Sequence, residues 1–174
     1  VDEFLDITRI EQGRTRYDFE QVDLNTLTED VVKELQPRAA EAGLSIIMKA
    51  SSQIGKVSMD SEKIRNVIFN YTDNAIKYGT AGKEIVVSVE AENGGAVVRV
   101  KDQGLGFNQS DEVSFFQKFY RGANVKGTNV NGTGLGIYVC RMFIEAHKGR
   151  VWAHSEGLGK GSEFGFWIPE KQEN

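Results

Sequence analysis

Cysteine is nearly absent from this chain: Cys140 is the single one among 174 residues. One thiol excludes an internal disulfide framework and fits a reducing compartment, so the expected location is cytoplasmic. Set in an apolar helical pattern, Cys140 reads as a small buried hydrophobe. Long apolar runs are missing too. The longest unbroken one is the four residues 137–140, far below the roughly 18 needed to cross a bilayer. No signal-peptide pattern opens the chain, so any membrane anchor of a parent protein is expected outside this stretch, with no membrane contact by the stretch itself. Basic runs are lacking as well, and 21 Lys and Arg against 25 Asp and Glu give a net charge of −4. That balance offers no general footprint for a phosphate backbone, so nucleic acid is not an expected partner. There is no internal repeat. What remains is ordinary globular usage, 40% hydrophobic and 26% charged, enough for one domain of about 150 residues with a short appendage.

The hydrophobic pattern sets out the elements. Val1, Phe4, Leu5 and Thr8 read as the tail of an amphipathic helix ending near Gly13, in a chain that begins without Met and is expected to be a fragment. After a connector carrying Tyr17 and Phe19, Asp23 is placed to cap a helix with the apolar stripe Leu24, Leu27, Val31, Leu35, Ala39 and Ala42, closed by Gly43. Pro37 lies inside that stretch and is a source of kinking. Residues 44–50 have strand character, and Asp60 or Ser61 starts a second long helix to about Tyr78. Residues 85–90 and 96–102 are β-rich and joined by Glu92-Asn93-Gly94-Gly95, the composition of a hairpin turn. A Gly- and Asn-rich stretch at 122–134 precedes a helix over 135–147, stopped by Gly149. A last strand pair, 150–155 and 162–168, surrounds the glycines of 157–161. Helices among locally paired strands mean α+β, a mixed and mostly antiparallel sheet with helices on one face.

Three segments carry chemistry. In the helix ending at Tyr78, Ile64, Val67, Ile68, Tyr71 and Ala75 form the core face, while Asn70, Asn74 and Lys77 form a separate stripe at i, i+4 and i+7. Carboxamide oxygens can ligate a hard divalent cation and an ammonium can neutralise phosphate; a solvated polar face is the other reading. At the end of a strand, Asp102 shares a side with Val98 and Val100. A carboxylate carried toward the core needs a donor, and the purine amino group is one, with Gly104 and Gly106 letting backbone approach a ligand. An Asx-type turn explains the same residues. The third segment, Asn131-Gly132-Thr133-Gly134-Leu135-Gly136, runs into a helix and offers an anion site at a helix N-terminus. Its GxGxG spacing, with no strand before it, is not the dinucleotide fingerprint. Gly122 to Gly127 continues with Thr128-Asn129, which is not a Walker motif.

Taken in this order, the segments resemble the catalytic and ATP-binding domain of sensor histidine kinases, in the superfamily shared with DNA gyrase, the large heat-shock chaperone and MutL. Residues 70–78 are similar to that family's asparagine box, 102–106 to its first glycine box, 115–121 (Phe-Phe-Gln-Lys-Phe-Tyr-Arg) to its phenylalanine box and 132–136 to its second glycine box. The resemblance implies a two-layer α/β sandwich of Bergerat type with a flexible ATP lid over about 108–131, binding ATP and Mg²⁺. It implies that Asn74 ligates Mg²⁺ with help from Asn70, that Lys77 contacts phosphate, that Tyr78 lies against adenine and that Asp102 accepts from the adenine amino group. Gly104 and Gly106 would shape the adenine pocket, Arg121 would approach the γ-phosphate, and Gly132, Gly134 and Gly136 would let the lid close over the triphosphate, with Phe107, Tyr120, Thr133 and Leu135 also implied to bind the nucleotide. Phe116 and Phe119 would anchor the lid, with Tyr120 more exposed.

Position 70 bears on the reaction. In the gyrase, chaperone and MutL branches a Glu four residues before the Mg²⁺-binding Asn activates water; here the residue is Asn70, which cannot accept a proton at useful pH. Transfer of phosphoryl to a nucleophile brought by a partner is favoured over hydrolysis, as in a histidine kinase. The two histidines of the chain are His147, at a helix C-terminus where an imidazole meets the dipole favourably, and His154, in a strand. Neither lies in the family's phosphoacceptor pattern. The acceptor is expected upstream, in a helical hairpin whose second helix ends within residues 1–13, with the catalytic domain over 14–170 and a tail over 171–174. The implied partners are that dimerisation and phosphoacceptor domain, in a homodimeric parent, and a response-regulator receiver domain. Two other readings remain: a non-catalytic ATP-binding interaction module, and a serine kinase of the anti-sigma type on the same fold.

Overall fold

The computed structural model describes residues 2–112, 114–117 and 135–172. In chain order the elements are α1 (Asp2–Glu11), β1 (Glu20–Asp23), α2 (Leu24–Glu41), β2 (Ser45–Lys49), β3 (Lys56–Met59), α3 (Ser61–Tyr78), β4 (Glu84–Glu92), β5 (Gly95–Asp102), a 3₁₀ turn (Gln109–Asp111), α4 (Leu135–Ala146), β6 (Arg150–His154) and β7 (Ser162–Pro169). The five-stranded sheet has the order β2-β4-β5-β7-β6; β2 runs parallel to β4 and every other pairing is antiparallel. The β4–β5 hairpin turns at Asn93 and Gly94, both with positive φ (49° and 71°), as a primed two-residue turn requires. No helix among the described residues is long and apolar enough to cross a membrane.

Two short strands break the connectors that sequence periodicity left unassigned. β1 pairs antiparallel with β3, Val22 opposite Val57, making a ribbon apart from the main sheet. Asp23 caps α2 as expected, its Oδ1 accepting from the Thr26 N–H at 3.2 Å. The helix passes through Pro37 without interruption, and just before it the Gln36 Nε2 donates to the Ile46 carbonyl at 2.9 Å, tying α2 to β2.

The inner face of the sheet and the apolar stripes of the helices close one core. Ile85, Val87 and Val89 of β4, Ala96, Val98 and Val100 of β5 and Phe166 and Ile168 of β7 are buried, facing Leu24, Val31 and Leu35 of α2, Ile64, Val67, Ile68 and Tyr71 of α3 and Cys140 and Ile144 of α4. The Val, Leu, Ile and Phe side chains among these contribute about 1.5–3 kcal/mol each on burial. Period two places Asp102 on that inner face.

The outer face is covered by its own indoles. Trp152 lies over Gly165 and Trp167 over Gly95; a Cβ built on either glycine would come within 2.6 Å of an indole atom. The Trp152 Nε1 donates to Glu163 at 2.9 Å and the Trp167 Nε1 to the Glu92 carbonyl at 2.8 Å. Arg99 sits 5.6 Å from the Trp152 ring while pairing with Glu90 and Glu92, and Arg150 sits 5.1 Å from the Trp167 ring. Gly165→Ala should therefore unseat Trp152 and cost about 1–3 kcal/mol, read as a lower urea midpoint with unchanged nucleotide affinity.

Candidate active site

α3 is fixed at its start and presents its function at its end. The Asp60 cap accepts from the Lys63 N–H at 3.1 Å and the Asp18 N–H at 2.9 Å, and its own N–H donates to His147 Nε2 at 3.0 Å. His147 Nδ1 lies 2.7 Å from the Phe143 carbonyl, which makes Nδ1 the donor and Nε2 the acceptor. The ring is fully buried, and burial holds its pKa below the ordinary value. The interaction with the helix C-terminus expected for this residue is thus made by a neutral ring that donates to a last-turn carbonyl of α4 and accepts from the Asp60 N–H. His154 is different: it is exposed on β6, its pKa raised by Glu156 and Glu112. Its Nδ1 is 2.8 Å from Glu112, just beyond the 3₁₀ turn.

Along the polar stripe, Asn70 Nδ2 donates to the Asn66 carbonyl and side-chain oxygen, both at 2.8 Å. A carbonyl can only accept, so the amide nitrogen must point back along the helix and Oδ1 is left facing α4. There Gly136 has no side chain, and a Cβ on it would come 3.0 Å from Asn70 Oδ1. Asn74, half-buried one turn on, completes the pair of carboxamides. Lys77 leans away from the stripe: its ammonium is 3.2 Å from Asp73 Oδ2, while Asp73 Oδ1 is bonded by Arg38 of α2. Sequence reasoning singled out neither Asp73 nor Arg38.

Asp102 is buried at the end of β5. Its Oδ1 accepts from the Gly104 N–H at 2.9 Å and its Oδ2 from the Ser162 hydroxyl at 2.7 Å. Burial raises the carboxyl pKa and these bonds oppose the rise. The Asx turn is therefore present, and the carboxylate retains further lone pairs for a donor. The loop after it is wedged between two elements. Leu105 N–H donates to the Tyr78 carbonyl at 3.0 Å, Gly159 N–H to the Leu105 carbonyl at 2.7 Å and Gly161 N–H to the Gly104 carbonyl at 3.1 Å. A Cβ on Gly104 would strike the Tyr78 carbonyl; Gly106, at φ +61°, would strike Gly157 and Ser155. Ser155, missed in the sequence because nothing in its neighbourhood marks it, accepts from the Phe107 N–H at 3.1 Å and donates to the Gly161 carbonyl at 2.6 Å.

Phe107 turns inward beneath this loop. Its ring is 4.5 Å from Phe115, and Phe115 and Phe116 lie 5.5 and 6.4 Å from Phe164. Phe116 is buried. Phe119, Tyr120, Arg121, Gly132, Thr133 and Gly134 lie outside the described residues, with most of the stretch expected to form the lid. Leu135 and Gly136 open α4.

The loop after Asp102 thus meets the end of α3 at Tyr78, and the first turn of α4 meets the same helix at Asn70. The Asn70 carboxamide oxygen faces α4, Asn74 follows one helical turn later, and the buried Asp102 carboxylate ends β5 at the start of the loop that meets Tyr78. Among the described residues no three His, Cys, Asp or Glu side chains gather as a metal site. A divalent ion held by carboxamides here would take its other ligands from phosphate and water, the mode magnesium favours. The sequence pattern of the histidine kinase-, DNA gyrase B- and HSP90-like ATPases matches residues 59–172, which contain all of these elements.

The chain belongs to that family.

The adaptive-response sensory kinase SasA of Synechococcus sp. (strain JA-2-3B'a(2-13)) is 36% identical over 150 residues, 86% of this chain and 39% of that protein. The circadian input-output histidine kinase CikA of Synechococcus elongatus (strain ATCC 33912 / PCC 7942 / FACHB-805) is 27% identical over 98% of this chain and 23% of its own length. The ATPase-family chain thus spans well under half of these relatives. Among solved structures, full-length ShkA in complex with AMPPNP superposes with a TM-score of 0.86 at 25% identity, covering 99% of this chain and 35% of that one.

Proposed function

We propose that this domain binds ATP with Mg²⁺ and transfers the γ-phosphoryl group to a histidine on a separate helical domain. The observation that carries the reading is that the loop after the buried Asp102 closes on the end of α3, the helix whose Asn70 oxygen faces the first turn of α4 with Asn74 one turn further on. Asn74 would hold Mg²⁺ with Asn70 Oδ1 beside it, and Lys77 would reach phosphate. Asp102 would accept from the adenine amino group, Tyr78 would pack on the base, and Gly104, Gly106 and Phe107 would shape the pocket floor. Arg121 and Tyr120 would serve the phosphate end, and Gly132, Thr133, Gly134, Leu135 and Gly136 the hinge of the lid. Bound Mg²⁺ would neutralise phosphate charge; this chain's residues orient the nucleotide and exclude competing geometry. With its amide nitrogen committed to Asn66, Asn70 offers an oxygen that accepts hydrogen bonds but not a proton, which supports transfer over hydrolysis.

In this reading residues 1–13 end the acceptor hairpin, 14–170 form the catalytic domain and 171–174 a tail. A receiver domain takes the phosphoryl group from the acceptor histidine. The first experiment is calorimetric titration with AMPPNP, with and without Mg²⁺, for the native chain and Asp102→Asn. An amide nitrogen in place of a carboxylate oxygen opposes the adenine amino group, so affinity should fall about 10-fold or more. Unchanged affinity would remove Asp102 from the site. Supplying a histidine-bearing hairpin with ATP should give an acid-labile, alkali-stable phosphoprotein; binding without transfer supports the interaction-module reading, and an acid-stable product the serine kinase.

A further inference from the structure

We propose that Arg38, on α2 and outside all the motif segments, is a positioning residue that secures the Asp73 carboxylate so that Lys77 can leave it for a bound phosphate. The inference rests on the reading of Lys77 as a phosphate contact. Asp73 lies one turn before Lys77 on α3, and its side chain is only 12% exposed. Its two oxygens are divided between two cations: Oδ2 faces the Lys77 ammonium at 3.2 Å and Oδ1 is bonded by the Arg38 guanidinium. The Arg38 guanidinium also lies 5.8 Å from the Phe69 ring, so it rests against α3 while 54% of its side chain stays exposed.

Moving the ammonium onto phosphate strips Oδ2 of its partner. A largely buried carboxylate left without any cation carries a desolvation cost that would hold Lys77 in place. With Arg38 on Oδ1 the carboxylate stays paired throughout, and Lys77 becomes exchangeable. Asp73 parks the lysine and Arg38 makes the parking reversible. Arginine suits the task because its charge is permanent and its planar fork is pre-organised, so little order is lost when one of two partners departs.

Opposite signs follow for two neighbours in one ion cluster. Arg38→Gln leaves Asp73 dependent on Lys77 and should weaken binding of Mg²⁺–AMPPNP about 10-fold. Asp73→Asn releases Lys77 and should tighten it about 3-fold. The double variant should match Asp73→Asn, since without the carboxylate Arg38 has nothing to hold. Adenosine, which carries no phosphate, should bind all four proteins equally; a general loss of packing would weaken both ligands. The proposal is overturned if Arg38→Gln and Asp73→Asn shift AMPPNP affinity in the same direction, or if adenosine follows AMPPNP. Lys77→Gln separates the two levels. No loss of AMPPNP affinity in that variant overturns the reading of Lys77 and the proposal with it; a loss there but none in Arg38→Gln overturns the proposal alone.

Discussion

Asn74→Ala is expected to weaken magnesium-dependent binding of AMPPNP at least about 100-fold, or about 2.7 kcal/mol, while the thermal midpoint moves by no more than about 2 °C. The functional effect is large because few other ligands are at hand. The described residues bring no cluster of acids, histidines or cysteines to this place, and Asn70 has already committed its amide nitrogen to Asn66. One carboxamide oxygen cannot replace two. The structural effect is small because Asn74 is half-buried and lies beside, not within, the apolar face of Ile64, Val67, Ile68 and Tyr71. Alanine also has the highest helix propensity, so the backbone of α3 is not penalised. Calorimetry with and without Mg²⁺ checks the first half and a melting curve the second. Equal affinity of variant and native protein in Mg²⁺ would mean that the ion is held elsewhere, and the assignment of Asn74 would fail.

Much of this candidate site is legible in the sequence because its parts are local. The spacing of Asn70, Asn74 and Lys77 lies within a single helix, the hairpin turn within two residues, and Asp102 within one strand of clean alternation. What escaped was whatever depends on pairing across distance. β1 and β3 are four residues long and separated by two other elements, so neither alternates long enough to register. Ser162 and Ser155 owe their roles to a loop that folds back on Asp102 and Gly104, a contact that no local spacing encodes. Helical phase puts Lys77 on the stripe with Asn70 and Asn74, and the resemblance to the asparagine box gives it to phosphate. Phase gives the direction of Cβ but not the end of a four-carbon side chain, which here goes to Asp73 because a buried carboxylate lies one turn back. The same limit hid Arg38, on another helix.

The largest effect on stability is expected from His147→Ala, a loss of about 3 kcal/mol at pH 8, equivalent to a fall of about 8 °C in melting temperature for a chain of this size. The imidazole links three parts of the fold: it accepts from the Asp60 N–H at the start of α3, donates to Phe143 within α4, and packs 4.9 Å from Phe19 and 6.0 Å from Tyr17 of the connector. Its removal leaves a cavity and a buried, unsatisfied N–H at the cap of the helix that carries the site. The loss should shrink on acidification. Burial lowers the folded-state pKa of His147 beneath its ordinary value, so below about pH 6.5 the unfolded chain binds a proton that the folded chain refuses. The stability His147 confers is whole above that pH and is lost as pH falls through it. His154 acts in the opposite sense: with its pKa raised, its contribution is whole below about 6.5 and lost as pH rises through the folded value. The difference between native protein and His147→Ala removes that opposing contribution, since His154 is present in both. Urea unfolding of the two at pH 8.0 and 5.5 should therefore show a smaller difference at the lower pH. A difference that stays constant would mean that the folded chain takes up the proton as readily as the unfolded one, and the burial-lowered pKa of His147 would have to be abandoned.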